Sequence, residues 1–175
     1  MIKIRSSILI LILSFVLFNC SQVKEKHHGY ENQIGDTPFS IDIDDPNFEF
    51  CDSTNVLHKR AYVGYEGGMK AIEEEITSKY NLDASYKSYS GYFIIRLAVN
   101  CNDRAGRYRM QILDSNFGLA ECPDQLEKHI LSIVKGLKGW KRPFYDGKYY
   151  DGYKFLSIKI VNGRNYSGTK KAKII

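Results

Sequence analysis

Two stretches of alternating side chains, separated by a short loop, limit the architecture of this chain more than any other feature. Apolar residues occupy every second position of residues 92–99, and the alternation resumes in residues 107–112. A period of two is typical of a strand with one buried face. The intervening residues 100–106 are mostly polar and end in Gly106, whose backbone freedom suits a hairpin loop. The sequence therefore predicts an antiparallel pair of strands with one face turned towards a core.

Two helical patterns and a further strand flank the predicted hairpin. Residues 69–80 and a longer stripe that ends at Gly139 carry apolar side chains at the spacing of an amphipathic helix. Residues 153–161 alternate again, after the two Asp-Gly pairs at 146–147 and 151–152, which predict turns. The order is helix, strand, strand, helix, strand. It predicts an α+β fold in which a three-stranded antiparallel sheet carries two helices packed on one face.

The first residues have the organisation of an export signal. Two basic residues precede an apolar stretch, residues 8–18, which is too short to cross a bilayer core of roughly 30 Å as a helix. Leu17-Phe18-Asn19-Cys20 resembles a lipobox, the site at which bacteria attach diacylglycerol to a cysteine. We therefore expect residues 1–19 to be a lipoprotein signal peptide and Cys20 to carry covalent lipid, with no other cofactor. The alternative is an ordinary cleaved signal with an incidental cysteine.

The remaining chain divides into three parts by composition. Residues 20–61 are polar and contain Gly and Pro, so we expect a lipidated tether. Residues 62–163 hold every periodic segment and form the expected domain, and residues 164–175 form a basic tail. Removal of the signal lowers the formal net charge from +5 to +3, and the remaining basic residues are interleaved with acidic ones. This balance excludes nucleic acid as an expected partner.

Three cysteines remain once Cys20 is assigned to lipid. An exported protein meets an oxidising compartment, so we expect one disulfide. The predicted hairpin separates Cys101 from Cys122 by about 25 Å, at about 3.3 Å per residue, which is too far for a bond. Cys51–Cys101 is the preferred pairing and Cys51–Cys122 is the alternative. No two cysteines have CxxC spacing and no histidine stands at ligand spacing to them, so we expect no metal site.

Catalytic motifs are absent from the sequence. His58 and His129 are the candidate general bases and Cys122 is the candidate nucleophile, but none has a recognisable partner arrangement. No Gly-x-Ser-x-Gly elbow occurs. His129 also falls beside an apolar helical stripe, where a structural histidine is more common than a catalyst. We therefore expect a binding or assembly protein and not an enzyme.

Four segments, taken in order, resemble the C-terminal domain of the TonB family. Residues 65–72, Tyr-Glu-Gly-Gly-Met-Lys-Ala-Ile, resemble the family's Gly-Gly helix opening, and residues 92–106 resemble its first hairpin. Residues 138–143, Lys-Gly-Trp-Lys-Arg-Pro, followed by Asp146-Gly147-Lys148, resemble its Trp-x-Pro and Asn-Gly-Lys stretch ahead of the last strand. The resemblance spans about residues 62–163.

The resemblance implies a role for the last strand. Transducers of this family use the domain in the periplasm to bind an extended segment of an outer-membrane receptor, which adds a strand to the sheet. A transducer also has a transmembrane helix and a long Pro-rich spacer, neither of which is recognisable here, so we expect a binding module and not an energy transducer. By resemblance the strand from Tyr153 to Val161 is the receiving edge, and its residues on the face away from the helices are Tyr153, Phe155, Ser157 and Lys159.

Lipid attachment implies a membrane of the cell envelope, with the domain facing the periplasm or the cell surface; the sequence does not distinguish the inner from the outer membrane. The expected partner is a segment of an envelope or outer-membrane protein. Envelope assembly, including self-pairing into a homodimer through the same strand, is one alternative. Glycan binding is the other, through an aromatic cluster that local packing around the turns would equally explain: Tyr145, Tyr149, Tyr150, Tyr153 and Phe155.

Overall fold

The computed structural model describes residues 39–41, 43–56 and 62–165. The predicted signal peptide, Cys20, His58 and the tail beyond residue 165 lie outside this range. None of the described helices is long and apolar enough to span a membrane. The described residues form an α+β fold with two helices, α1 (Gly68–Lys79) and α2 (Asp124–Lys135), and a 3₁₀ turn at Ala84–Tyr86. The strands are β1 (Gly64–Tyr65), β2 (Gly91–Val99), β3 (Ala105–Leu113), β4 (Trp140–Lys141), β5 (Phe144–Tyr145), β6 (Lys148–Tyr149), β7 (Gly152–Val161) and β8 (Arg164–Asn165).

The main sheet has four strands in the order β3-β2-β7-β8, and every neighbouring pair is antiparallel. The three long strands are those that the alternation predicts, and β2 pairs with β7 over its whole length. The expected three-stranded sheet gains a fourth strand at its edge. This strand arises because Asn162-Gly163, with φ angles of 49° and 69°, makes a two-residue turn that returns the chain beside the end of β7.

Both helices pack on the same face of this sheet. α1 buries Ile72 and Ile76, and α2 buries an apolar stripe that continues into the same core. Burial of this kind removes apolar surface from water and is the main source of stability. The residues of β2, β7 and α2 that join the core are Phe93, Ile95, Leu97, Val99, Leu156, Ile158, Ile160, Leu126, Ile130, Ile133 and Val134.

The second helix is shorter than its apolar stripe indicates. α2 ends at Lys135, where Gly136 donates its N–H to carbonyls of the last turn. Trp140 therefore lies in β4, which pairs with β1. Its buried ring packs edge-on against Tyr65, with the ring centroids 5.0 Å apart. The apolar pattern continues past the end of α2 because Leu137 and Trp140, which follow the helix, are buried in the same core as the α2 side chains. The sequence pattern alone therefore predicts one longer helix.

The segment that precedes residue 62 packs against the opposite face of the sheet. We call residues 39–41 and 43–56 the N-terminal segment. Its Phe48 ring lies directly on Gly106, where an added Cβ would collide with the ring, and Phe48 forms a small second cluster with Ala98 and Tyr153. Gly106 therefore lies in β3 and not in the hairpin loop, and its lack of a side chain leaves space for the Phe48 ring. The sequence predicts a tether as far as residue 61; its described part is instead folded onto the domain.

Candidate functional site

The outer edge of β7 lacks a neighbouring strand along most of its length. β8 pairs only with Ile160 and Val161, and no other strand of the described residues pairs with residues 153–159 on this side. Val161 and Arg164 flank a two-residue turn and therefore exchange both ladder hydrogen bonds, so the N–H of Val161 points away from β2. An unpaired edge of this kind is a template for adding another strand.

Backbone direction alternates along an antiparallel strand, so every second residue before Val161 also points outward. These residues are Lys159, Ser157, Phe155 and Tyr153. Three of the four residues expected to form the receiving edge, Phe155, Ser157 and Lys159, therefore present their N–H and C=O groups to the open side. Their side chains lie on the face away from the helices, because the alternate residues of β7 are buried in the helix-covered core.

The four side chains differ in accessibility. Phe155 is 48% exposed, whereas Tyr153 is 7% exposed because Phe48 and Phe50 cover it. Ser157 is half-buried, and Lys159 is exposed. A partner strand can therefore contact the backbone along this edge, but the side-chain surface available to it begins at Phe155.

Arg96 of β2 supports the exposed Phe155 ring. The two residues are opposite each other in the β2–β7 ladder. The guanidinium carbon of Arg96 lies 3.8 Å from the Tyr153 ring centroid and 5.8 Å from that of Phe155. A guanidinium stacks favourably on aromatic faces. Because Arg96 is only 3% exposed, Phe155 rests on a fixed cation at the centre of the edge.

The far end of the edge is basic and aromatic. Lys159 Nζ lies 5.3 Å from the Tyr92 ring centroid, and Tyr92 stacks with the exposed Phe117 at 4.7 Å. Lys154 is half-buried near the other end, and burial lowers the pKa of its ammonium group. Neither lysine forms an ion pair within the described chain. The edge therefore carries a lysine near each of its ends.

A buried ion pair fixes the N-terminal segment beside β3. Arg109 donates from Nη1 and Nη2 to the two carboxylate oxygens of Asp44, at 2.7 and 2.8 Å. The Ser40 amide donates to Asp44 Oδ2 at 2.8 Å, and Arg107 Nη1 lies 3.4 Å from the same oxygen. Burial raises the pKa of Asp44, but the Arg109 and Ser40 hydrogen bonds and both arginine charges lower it below its ordinary value of 3.8. The pair is thus a charge-assisted, bidentate contact.

The predicted disulfide between Cys51 and Cys101 is confirmed, with the two Cα atoms 6.0 Å apart, and Cys122 is a thiol outside it. Beside the disulfide, Asp151 is 2% exposed and accepts N–H groups from Asp52 at 2.8 Å and from Cys101 at 2.7 Å. The sequence predicts a turn at Asp151-Gly152, and this prediction is wrong. Asp151 joins two loops, and β7 begins at Gly152.

These same residues include the one group of three potential metal ligands found among the described residues. Ligand atoms of Cys51, Cys101 and Asp151 lie within 4.8 Å of one another. The two sulfur atoms are bonded to each other, and both carboxylate oxygens of Asp151 accept backbone N–H groups. A metal needs deprotonated, unengaged ligands. The group therefore does not offer a metal site in its oxidised form.

The predicted aromatic cluster is divided between two places. β5 and β6 form a hairpin around Asp146-Gly147, and this hairpin exposes Tyr145 by 42% and Tyr149 by 55%. Phe144, which is outside the predicted cluster, is 57% exposed beside them. Tyr150 is half-buried, and Tyr153 and Phe155 belong to β7.

The candidate catalytic residues have structural contacts. His129 Nε2 accepts the Asn81 N–H at 3.1 Å, and its ring lies 5.4 Å from that of Tyr80. The Cys122 thiol donates to the carbonyl of Pro123 at 3.5 Å. These contacts fit the expected structural role of His129, and His58 is outside the described residues.

No family model, curated protein or solved structure matches the chain. Sequence reasoning missed the contribution of Arg96 and the pairing of Asp44 with Arg109. The alternation of Phe48 and Phe50 around Glu49 is a signal from which packing before residue 62 could have been predicted. It carries no information about which surface these rings cover.

Proposed function

We propose that this protein is a lipid-anchored module of the bacterial cell envelope that binds an extended segment of an envelope or outer-membrane protein as an additional strand beside β7. The observation that carries the proposal is the open edge from Phe155 to Lys159, beside which no strand of the described residues lies. The resemblance to the TonB C-terminal domain supports the same edge. A lipid on Cys20 would keep the module at a membrane while leaving this edge accessible.

Strand addition would supply both affinity and selectivity at this edge. Each backbone hydrogen bond formed contributes about 0.5 to 1.5 kcal/mol net, and Phe155, Ser157 and Lys159 each offer both a donor and an acceptor. Side chains at alternate positions of the added strand would meet Phe155 on one side, and an aromatic anchor of this kind often dominates binding. Lys154 and Lys159 would favour acidic residues in the segment.

Photo-crosslinking tests the partner in its own membrane. A benzophenone amino acid at Ser157, in the full-length lipidated protein, is expected to crosslink one envelope protein. The same group at Lys128, which is exposed on α2, serves as the control position. The crosslinked segment is then synthesised as a peptide, and its affinity is measured with the purified protein.

Phe155→Pro separates strand addition from side-chain contact. Its outward N–H is lost while the β2–β7 ladder keeps its donors, so the fold is expected to persist and peptide affinity to fall at least about tenfold. Phe155→Ala retains the N–H and controls for loss of the ring. Unchanged peptide affinity in a folded Phe155→Pro variant would exclude strand addition at this edge.

Residues 166–175 follow β8 directly in the sequence, so the chain's own tail is a competing occupant of the edge. A variant that ends at Asn165 tests this alternative. Binding of the peptide with the same affinity as the full chain supports an intermolecular partner. A gain in affinity of about tenfold or more would assign the edge to the tail in the unbound protein.

Lipid anchoring has a separate test. Cys20→Ala is expected to move the protein from the membrane fraction to the soluble fraction after cell lysis, because a cysteine thioether is the expected lipid attachment point. Cys122→Ala is the matched control and should remain with the membranes. A Cys20→Ala variant that stays in the membrane fraction would contradict lipidation.

Glycan binding is the second candidate, and the exposed hairpin favours it. Phe144 and Tyr149 lie with their ring centroids 4.9 Å apart, and the Arg142 guanidinium carbon lies 4.0 Å from the Tyr149 centroid. Amphipathic rings supported in this way suit contact with sugar faces. Calorimetric titration with cell-wall oligosaccharides, repeated with Tyr149→Ala, tests it. Heat release that Tyr149→Ala does not reduce would exclude this hairpin.

A further inference from the structure

Large and small side chains alternate along the open edge of β7, on the face away from the helices. Phe155 and Lys159 are exposed on either side of Ser157, which is half-buried. Alternate residues of a strand are about 7 Å apart, so the small Ser157 side chain leaves a gap between two large neighbours. We call this gap the notch, with Phe155 and Lys159 as its walls. It opens towards the side of β7 on which no strand of the described residues lies.

Ile94 of β2 forms the floor of the notch. It is opposite Ser157 in the β2–β7 ladder, so the two side chains project from the same face of the sheet. Ile94 is half-buried, and it belongs to neither of the two apolar clusters of the described residues. A large aliphatic side chain of the middle strands is therefore left partly in contact with water, directly behind Ser157 as seen from the open edge.

The two walls are held against β2 and not across the notch. Phe155 is opposite Arg96, whose guanidinium carbon lies 5.8 Å from the Phe155 ring centroid. Lys159 is opposite Tyr92, and its Nζ lies 5.3 Å from the Tyr92 ring centroid. Each wall thus has a cation–π contact with its own ladder partner. The notch is formed before a partner binds, so little side-chain ordering is needed to fill it.

The described part of the N-terminal segment packs elsewhere on this face. Its apolar contacts are with Ala98 and Tyr153, and Tyr153 is four residues from Ser157 along β7. The register of β8 also supplies no side chain for the notch. If β8 continued along β7 in its present register, Gly168 would be opposite Ser157, and glycine has no side chain to insert. Both observations favour a second chain as the source of the side chain that fills the notch.

We propose that the notch selects a segment with a large apolar side chain, such as leucine, methionine or phenylalanine, at the position that pairs with Ser157. This inference rests on the proposed addition of a strand beside β7. Directly paired residues project from the same face, so this side chain enters between Phe155 and Lys159. Strands are about 4.8 Å apart, which places the Ile94 backbone about 10 Å from that of the added strand. A large side chain reaches Ile94 across this distance, whereas alanine or serine does not.

Peptide selection on the full-length protein in detergent tests this preference. A phage-displayed library of random short peptides is selected on the parent protein. The clones that Phe155→Pro does not retain are kept, because they need the outward N–H of the edge. These peptides are expected to share one position occupied by a large apolar residue. Synthetic versions, with this residue or with glycine in its place, are then compared by their affinity for the parent and the variants.

Ile94→Thr removes the apolar floor and keeps a β-branched side chain that suits a strand. It is expected to weaken binding of the selected peptides about fivefold or more, with no effect on the glycine versions. Leu113→Thr is the matched control, because Leu113 is half-buried in β3 and is not paired with β7. It is expected to leave both affinities unchanged.

Ser157→Leu fills the notch from the protein's own side. The selected peptides are expected to bind this variant about tenfold more weakly than the parent, whereas the glycine versions are expected to bind both equally, because the backbone hydrogen bonds remain. The inference is overturned if the peptides share no large apolar position, if Ile94→Thr and Ser157→Leu leave their affinity unchanged, or if Leu113→Thr weakens it as much as Ile94→Thr. Strand addition stands in each of these cases. If no selected peptide depends on the Phe155 N–H, strand addition at this edge is excluded and the inference fails with it.

Discussion

The two faces of the main sheet are built by different interactions. On the helix-covered face, α1, α2 and the strands share one large apolar core. On the opposite face, the buried apolar cluster of the described residues comprises Phe48, Ala98 and Tyr153, with Phe50 and Val56 partly buried against it. The N-terminal segment is held there by the Asp44–Arg109 ion pair and the Cys51–Cys101 disulfide. The stability of the helix-covered face therefore comes from buried apolar area, and the packing of the N-terminal segment on the opposite face comes from a few specific bonds.

The difference between the faces also determines which surface is accessible beside the proposed binding edge. Apolar burial is non-directional and roughly proportional to area, and on the helix-covered face the two helices bury one continuous apolar cluster. The specific bonds of the opposite face cover only the end near Ala98 and Tyr153. They leave Phe155 and Lys159 uncovered, in the part of β7 that no strand of the described residues pairs on its outer side. The accessible surface is therefore on the face with the smaller core.

Two phenylalanines on opposite faces of the sheet are expected to differ most in how much their substitution lowers the free energy of unfolding. Phe93 is fully buried under the helices, and Phe155 is 48% exposed on the other face. Phe93→Ala is expected to lower the free energy of unfolding by about 4 kcal/mol, because it removes a buried ring and leaves a cavity. Phe155→Ala is expected to lower it by less than about 1 kcal/mol. Urea unfolding of both variants measures the difference, and similar losses would contradict the comparison.

Removal of the disulfide tests how strongly the N-terminal segment stabilises the opposite face, and its expected effect on the free energy of unfolding is intermediate. Cys51→Ser with Cys101→Ser opens a crosslink between residues 50 positions apart, and loss of this constraint on the unfolded chain is expected to lower the free energy of unfolding by about 3 kcal/mol. Cys122→Ser keeps the disulfide and is the control.

Hydrogen exchange then locates the effect of the lost disulfide. The amides of Asp52 and Cys101, which donate to Asp151, are expected to lose more protection than amides of β2. A uniform loss over the whole sheet would show that the two faces are not independent.

The helix-covered face could be predicted from the sequence because periodicity alone specifies it. The alternation of Phe93, Ile95, Leu97 and Val99 identifies the buried side of β2 without knowledge of any partner. The predicted C-terminal end of α2 was wrong because an apolar pattern was taken as helical beyond the point where the helix ends. The apolar stripe of α2 continues beyond Gly136, and only the pairing of β4 with β1 shows that its last part is extended.

The opposite face could not be predicted in the same way. Asp44 and Arg109 are 65 residues apart, and nothing in their spacing brings them together. Arg96 occupies a position that alternation assigns to the exposed face, yet it is buried beside Tyr153 and the N-terminal segment. The resemblance to a known family identified the candidate edge. It did not indicate that Tyr153 is covered while Phe155 is exposed.

The smallest expected effect is the pH dependence of the Asp44 contact. Because its pKa in the folded protein is below the ordinary value of 3.8, ionised Asp44 contributes stability above that pH. This stability is lost as the pH falls through the folded pKa. Asp44→Asn keeps the shape of the side chain without the charge, so it should be less stable than the parent protein at pH 7, by an amount that shrinks on acidification.

The Asp44→Asn comparison isolates one carboxylate from the others. Glu75 and Asp83 also have lowered pKa values, caused by hydrogen bonds from Lys79 and from Ser85, but both remain in the parent and the variant and cancel in the difference. Urea unfolding at pH 7, 5, 4 and 3 measures how the gap changes. A gap that narrows below about pH 4 assigns part of the stability of this face to the charge on Asp44. If the difference in free energy of unfolding between the parent and Asp44→Asn is the same at every pH, hydrogen bonding and packing, and not the charge on Asp44, hold the N-terminal segment. The two faces would then be stabilised by more similar interactions than the Asp44–Arg109 ion pair indicates.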